Sequence, residues 1–218
     1  MKPIRGFLLD IDGTLVDSNP AHARAWAEAL AENGHPVSVE VIQPLIGMGG
    51  DKLLPRVTGI DPESKQGKSI SRRRKEIFLT DYLPHLKPTR GAMELLQALQ
   101  DRGLEMSVAT SAKKEELEPL LKICSADRYI RSATSSDDAD RSKPDPDIIE
   151  AALDRIHLGA DEVVMLGDTP YDIEAARKAK VRVVALRCGG WRDGDLAADA
   201  VFEDPTDLTA HLDELLAK

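Results

Sequence analysis

Four short strings hold side chains whose types and spacing could do chemistry. The first is Asp10-Ile11-Asp12-Gly13-Thr14, two carboxylates two residues apart at the end of an apolar run. On an extended chain they would point to one face, about 7 Å apart. Close carboxylates repel unless a proton or cation intervenes, so the pair asks for one; the bland alternative is a solvated acidic turn with Gly13 supplying a positive φ. Val108-Ala109-Thr110-Ser111 ends another apolar run in hydroxyls. With neighbouring N–H groups these could hold an anionic oxygen, or they could simply cap a helix. Ser142-Lys143-Pro144-Asp145-Pro146 sets a cation before a helix start, or a lysine before a plain proline turn. Gly167-Asp168-Thr169-Pro170-Tyr171-Asp172 repeats the strand-end carboxylates. These are hard oxygen ligands suited to magnesium, unless Asp168 only caps the next helix.

The elements that must position these strings follow from pattern. Phe7–Leu9, Met106–Ala109, Val163–Leu166 and Val181–Leu186 are short apolar runs bounded by turn residues, and they read as buried strands. Helical patterns lie between them: from Gly91 to Arg102 with Thr89 as cap, from Asp145-Pro146 to about Ile156, and from Pro170 to Ala179. Strand–helix alternation predicts an α/β, Rossmann-like core with a mostly parallel sheet covered on both faces. Ligands of such sheets bind beyond the carboxyl ends of the strands, where all four strings sit. One interval, 18–87, shows only helical patterns: one from Asn19-Pro20 to Asn33-Gly34, and one from about Pro62 to Tyr82, before a return linker over 82–88. The division expected is a core of 1–17 and 88–218 and an inserted, all-helical domain of 18–87.

Composition narrows the class. The chain has 218 residues, 42% hydrophobic and 31% charged, which fits a globular protein of one large domain or a core with a smaller unit. Its 29 Lys and Arg against 38 Asp and Glu give a net charge of −9, which argues against a partner in nucleic acid or an anionic membrane. Cys124 and Cys188 stand far apart with no metal spacing and read as reduced thiols. The apolar run from Phe7 stops at Asp10, and no run nears the ~18 residues of a membrane span. A cytoplasmic location is the expectation.

The order of the four strings, and the helical insertion after the first, resemble the haloacid dehalogenase superfamily over nearly the whole chain. The likeness is to its phosphoglycolate-phosphatase and β-phosphoglucomutase-like branch. The resemblance implies a mobile helical cap and a Mg2+ cofactor, and as substrate a small phosphorylated metabolite. By the same resemblance Asp10 is the nucleophile and becomes an aspartyl phosphate, and Asp12 is the acid and then the base. Thr110 and the Ser111 amide hold the phosphoryl oxygens, while Lys143 screens charge. The metal falls to Asp10, the backbone carbonyl of Asp12, and Asp168, with Asp172 binding directly or at one remove.

Departures from the family patterns discriminate among its chemistries. Haloalkanoate dehalogenases carry a bulky residue, and phosphonatases a small one, where this chain has Asp12. The β-phosphoglucomutases typically carry Glu-Asp in place of Gly167-Asp168 and an Arg near Gly50, although His22 and Trp26 match mutase-like cap residues. A phosphatase is therefore expected, with a mutase as the alternative. A phospho-accepting signalling module and a non-catalytic scaffold are the readings from other classes. In the cap, His22 and Trp26 read either as substrate contacts or as a core pair. Gly47-Met48-Gly49-Gly50-Asp51-Lys52 reads as a loop offering Gly49 and Lys52 to the substrate, or as a hinge. Arg72-Arg73-Arg74-Lys75 reads as a solvated helix face, and Gly189-Gly190-Trp191 as a loop after a strand.

Overall fold

A computed structural model describes residues 2–130, 132–192 and 194–217. Two compact units emerge, Met1–Asp17 with Lys87–Lys218, and Ser18–Leu86. The first unit opens with β1 (Gly6–Leu9) and resumes after the second unit. The helices α1 (Asn19–Glu32), α2 (Val39–Ile42), α3 (Gly50–Thr58) and α4 (Lys65–Ile77) make the second unit. Then come α5 (Ala92–Asp101), β2 (Glu105–Ala109), α6 (Lys114–Ile123), β3 (Ser132–Thr134), α7 (Asp147–Ile156) and β4 (Val163–Gly167). The chain closes with α8 (Pro170–Lys178), β5 (Arg182–Leu186), β6 (Ala200–Phe202), α9 (Pro205–Ala210) and α10 (Leu212–Leu216).

The six strands are all parallel, in the order β3-β2-β1-β4-β5-β6. β1 is central, with Leu8 in register with Ser107 on one side and Met165 on the other. It is fully buried, as the unbroken run Phe7-Leu8-Leu9 requires of a strand covered on both faces. Strand order reverses at β1, so the crevice at its carboxyl end is the natural ligand position of such a sheet. On one face Ile148, Ile149 and Ala152 of α7 and Ile173, Ala175 and Ala176 of α8 pack with Leu8, Met165 and Val183.

Three local readings need correction. The edge strands β3 and β6 have three residues each and lack the long apolar runs that mark central strands, so pattern alone passes over them. The helix after Thr89 is capped by Gly91, at φ +78°; Thr89 contributes its backbone carbonyl to the Ala92 N–H, at 3.0 Å. The loop expected at 47–52 is a loop only to Gly49. From Gly50 the chain is α3, because Leu53 and Leu54 bury on one face and the Lys52 and Leu53 N–H groups both reach the Gly49 carbonyl, at 3.0 Å. The helix expected to end near Tyr82 does so, its last five residues, Phe78–Tyr82, widened into a π-helical turn. No helix among the described residues is long and apolar enough to cross a membrane.

Candidate active site

The site lies at the carboxyl ends of β1, β2 and β4. Asp10 follows β1 directly, and its N–H donates to the Leu166 carbonyl at 2.9 Å, extending the sheet ladder by one residue. Beyond it the chain leaves the extended path. The Thr14, Leu15 and Val16 N–H groups converge on the Ile11 carbonyl, at 3.2, 2.9 and 3.0 Å, and Gly13 takes φ +79°. The turn begins just past Asp10, and Asp12 stays close enough to it for their charges to interact. Asp12 is half-buried, and its carboxylate stands outside the cluster that Asp10 joins.

That cluster is Asp10, Asp168 and Asp172, three buried carboxylates with oxygens within 4.8 Å of one another. Lys143 completes it. Its ammonium, fully buried, lies 2.6 Å from Asp10 Oδ1 and 2.6 Å from Asp172 Oδ1. Asp172 is the third residue of α8, where it forms a reciprocal cap. Its Oδ2 accepts from Thr169 Oγ1 at 2.7 Å and from the Thr169 N–H at 3.0 Å, while its own N–H donates to Thr169 Oγ1 at 3.2 Å. Asp168 Oδ1 accepts from Thr14 Oγ1 at 2.8 Å. At the end of β2, the Thr110 N–H donates to the Thr134 carbonyl at 3.1 Å, and Thr110 Oγ1 accepts from the Ala112 N–H at 3.1 Å. The hydroxyl proton of Thr110 is thus left for another acceptor.

The charge balance of this volume is negative: three carboxylates face one ammonium. Burial pushes the Asp10 carboxyl up, Lys143 pulls it down, and Asp172 and Asp12 push it up again, to about 8. Burial alone would lower Lys143, but Asp10 and Asp172 outweigh it and hold the ammonium above its ordinary value. Neighbouring negative charge raises an acid and a base alike, adding to burial at Asp10 and opposing it at Lys143. Hard oxygen donors in surplus over the positive charge are what a magnesium-sized cation fits.

The haloacid dehalogenase-like hydrolase family model matches residues 7–186. The chain belongs to that family. Among relatives of this haloacid dehalogenase-like hydrolase, the phosphoglycolate phosphatase of Rhodospirillum rubrum is 30% identical over 210 residues, 92% of this chain and 87% of its own. The N-acetylmuramic acid 6-phosphate phosphatase of Pseudomonas putida is 28% identical over 218 residues, 98% of each chain. A crystal structure of a hydrolase from Pseudomonas syringae matches with a TM-score of 0.90 at 34% identity, covering 96% of this chain and 98% of that one. The protein is an enzyme of the phosphatase kind within the haloacid dehalogenase-like hydrolases.

The cap residues named from sequence take places of their own in the helical unit of this hydrolase. His22 stacks on Phe78 at 3.9 Å between ring centroids. Trp26 lies under the Arg74 guanidinium at 5.1 Å, and a side chain at Gly50 would meet its ring at 2.9 Å. Both rings are buried. Gly49 is the N-cap of α3 and Lys52 lies in its first turn. Of the basic run, Arg73 pairs with Glu32 at 2.6 Å and Arg74 covers Trp26, so the face is less solvated than its charge implies.

Two site residues escape sequence reasoning. Thr14 is one, because a hydroxyl in a turn carries no signal for a partner 154 residues away. Gly189, after β5, is the other: its backbone lies against the Asp168 carboxylate. Its neighbour Cys188 donates its thiol to the Gly13 carbonyl at 3.5 Å. The neutral thiol is the donor in this contact.

Proposed function

We propose that the protein is a Mg2+-dependent phosphatase that hydrolyses a small organic phosphate monoester through a phosphorylated Asp10. One arrangement carries the reading: Lys143 Nζ, 2.6 Å from both Asp10 and Asp172, in a buried volume that also holds Asp168. Phosphoryl transfer is mainly positioning and charge neutralisation, and a carboxylate can approach an anionic phosphate only where positive charge is already fixed.

In the first half-reaction an Asp10 oxygen bonds to phosphorus as the ester P–O bond breaks, and Asp12 gives its proton to the departing alkoxide. In the second, the oxygen of a water bonds to phosphorus while Asp12 takes its proton, and the Asp10–phosphate bond breaks to release inorganic phosphate. A carboxylate nucleophile divides one difficult hydrolysis into two easier steps. Asp12 must be protonated when the ester bond breaks, so that its proton can pass to the departing oxygen. Thr110, its oxygen already accepting from Ala112, directs its proton to a phosphoryl oxygen, and the Ser111 amide holds a second. A bound Mg2+, held by Asp10, Asp168 and the Asp12 backbone carbonyl, with Asp172 directly or at one remove, supplies Lewis-acid neutralisation of the phosphoryl oxygens.

A mutase is the weaker reading. The Glu that mutases of this branch carry falls at Gly167, where a Cβ would stand 2.5 Å from Asp172 Cβ and Cγ. The relatives' names make phosphoglycolate and N-acetylmuramic acid 6-phosphate the first esters to try. Phosphate release from a panel that includes both, with and without Mg2+, is expected to need the cation and to vanish in Asp10→Asn. Undiminished release from Asp10→Asn removes Asp10 as nucleophile, and a panel inert with Mg2+ removes the reading.

A further inference from the structure

We propose that Gly189 is a positioning residue for Asp168: with no side chain of its own, it forms the wall that fixes this carboxylate in the cation-binding cluster. The inference rests on the reading of Asp168 as a cation ligand and extends it to a residue outside the family's four strings.

The two oxygens of Asp168 are placed by different parts of the chain. Oδ1 accepts from Thr14 Oγ1 at 2.8 Å, which ties it to the turn after β1. Oδ2 faces Gly189. A Cβ built there would lie 2.5 Å from Asp168 Cβ and Cγ and closer still to Oδ2, a separation that no real side chain tolerates. Gly189 ends the helical turn Arg187–Gly189 that follows β5, and that turn is anchored on both sides. Cys188 donates its thiol to the Gly13 carbonyl at 3.5 Å and its N–H to the Glu203 carbonyl at 3.0 Å, while the Gly190 N–H returns to the Arg187 carbonyl at 2.9 Å. The wall is therefore held to the same β1 turn that supplies Thr14. A fully buried carboxylate gripped this way cannot rotate its oxygens away from Asp10 and Asp172.

The requirement at Gly189 is for space. Gly190, next along, has φ +92°, which L side chains rarely adopt, yet nothing lies within 4 Å of where its Cβ would stand. Gly189 has no such φ and no room. The two adjacent glycines thus separate a steric role from a conformational one, and Gly190→Ala is a built-in control.

The test is Mg2+ titration of the thermal unfolding midpoint, a readout independent of turnover, on wild type, Gly189→Ala and Gly190→Ala. Groups that orient a metal ligand typically change affinity by about 10–100-fold when altered. The expectation is that Gly189→Ala needs at least about ten-fold more Mg2+ for half of the midpoint shift. Gly190→Ala should lower the midpoint without moving that concentration. An unchanged Mg2+ requirement in Gly189→Ala overturns the positioning role, whereas a wild-type midpoint indifferent to Mg2+ overturns the cation reading beneath it. Should Gly189→Ala fail to fold, the same substitution in an Asp168→Gly background decides: removing the whole side chain, Cβ included, removes the collision, so the doubly substituted protein should unfold close to Asp168→Gly itself. An equal loss of midpoint with and without the Asp168 carboxylate shows that the methyl clashes elsewhere and overturns the proposal.

Discussion

Asp10 and Lys143 make opposite demands on pH and on each other. The Asp10 carboxyl titrates near 8 in the folded protein and at its ordinary 3.8 when unfolded. Between those values the folded state holds a proton that the unfolded state has released, so each rise in pH favours unfolding. Stability of the cation-free protein is expected to fall from about pH 4 to about pH 8 on this account, and Asp10→Asn should flatten that slope. Urea denaturation of both proteins across the window checks it; parallel slopes would show that another group is responsible. A cation competes with the same proton, so the Mg2+ requirement should ease as pH rises toward 8. Lys143 is the converse case, a buried ammonium whose removal leaves Asp10 and Asp172 facing each other uncompensated. Breaking a buried ion pair at one partner costs about 3–5 kcal/mol, and Lys143→Ala is expected to lose stability on that scale. Turnover should fall by about 10²–10³, as when one preorganised donor is removed. Unaltered kinetics in a folded Lys143→Ala protein would make the lysine structural only.

At the scale of elements, helix starts do double duty. The first turn of α8 is closed by Thr169 and Asp172 in a reciprocal cap, and that cap leaves Asp172 Oδ1 directed at Lys143. The residue that ends the orphaned N–H groups of a helix is thus also the lysine's second anchor. Thr169→Ala is expected to cost about 1 kcal/mol of stability, the usual worth of an N-cap hydroxyl, and Thr169→Ser should recover most of it. Denaturant midpoints of the pair measure the cap. A matching change in kcat for Thr169→Ala alone, with KM little moved, would show that the cap also orients Asp172. Equal midpoints for Ala and Ser would mean the hydroxyl contributes nothing at this position.

The whole molecule offers a separate reporter for each unit. Trp26 is buried in the helical unit and Trp191 packs edge-on to Tyr171 at 6.0 Å in the α/β unit, and the chain has two tryptophans. A ligand that binds only the folded state stabilises by about 2.7 kcal/mol at a hundred times its dissociation constant. The carboxylate cluster lies wholly in the α/β unit, so Mg2+ should raise the unfolding midpoint seen through Trp191 in Trp26→Phe. The midpoint seen through Trp26 in Trp191→Phe should move less. Equal shifts in both signals would show that the units unfold as one.

What the sequence determined by itself was whatever local pattern can record. Apolar runs, interrupted only by Ser107 in β2 and by Arg182 at the head of β5, mark the central strands β1, β2, β4 and β5, and proline and glycine punctuation marks the ends of α1 and the start of α8. Strand-end carboxylates, a hydroxyl and a lysine stood out because burial at a sheet's edge gives such residues no reason to be there without a partner. Tertiary structure decided who the partners are. Lys143 reaches Asp10 across 133 residues of chain and Thr14 reaches Asp168 across 154, and no periodicity encodes either pairing. The short edge strands β3 and β6 exist because β2 and β5 offer them open ladders. Gly189 carries no chemistry in its own formula; its place against Asp168 comes from where β5 ends relative to β4, a matter of register between strands. The aromatic pair His22 and Trp26 is the reverse case. Their spacing on α1 serves a ligand and a core equally well, and the contacts with Phe78, Arg74 and Gly50 are ones only the tertiary structure supplies, because a helix face is read by what it meets.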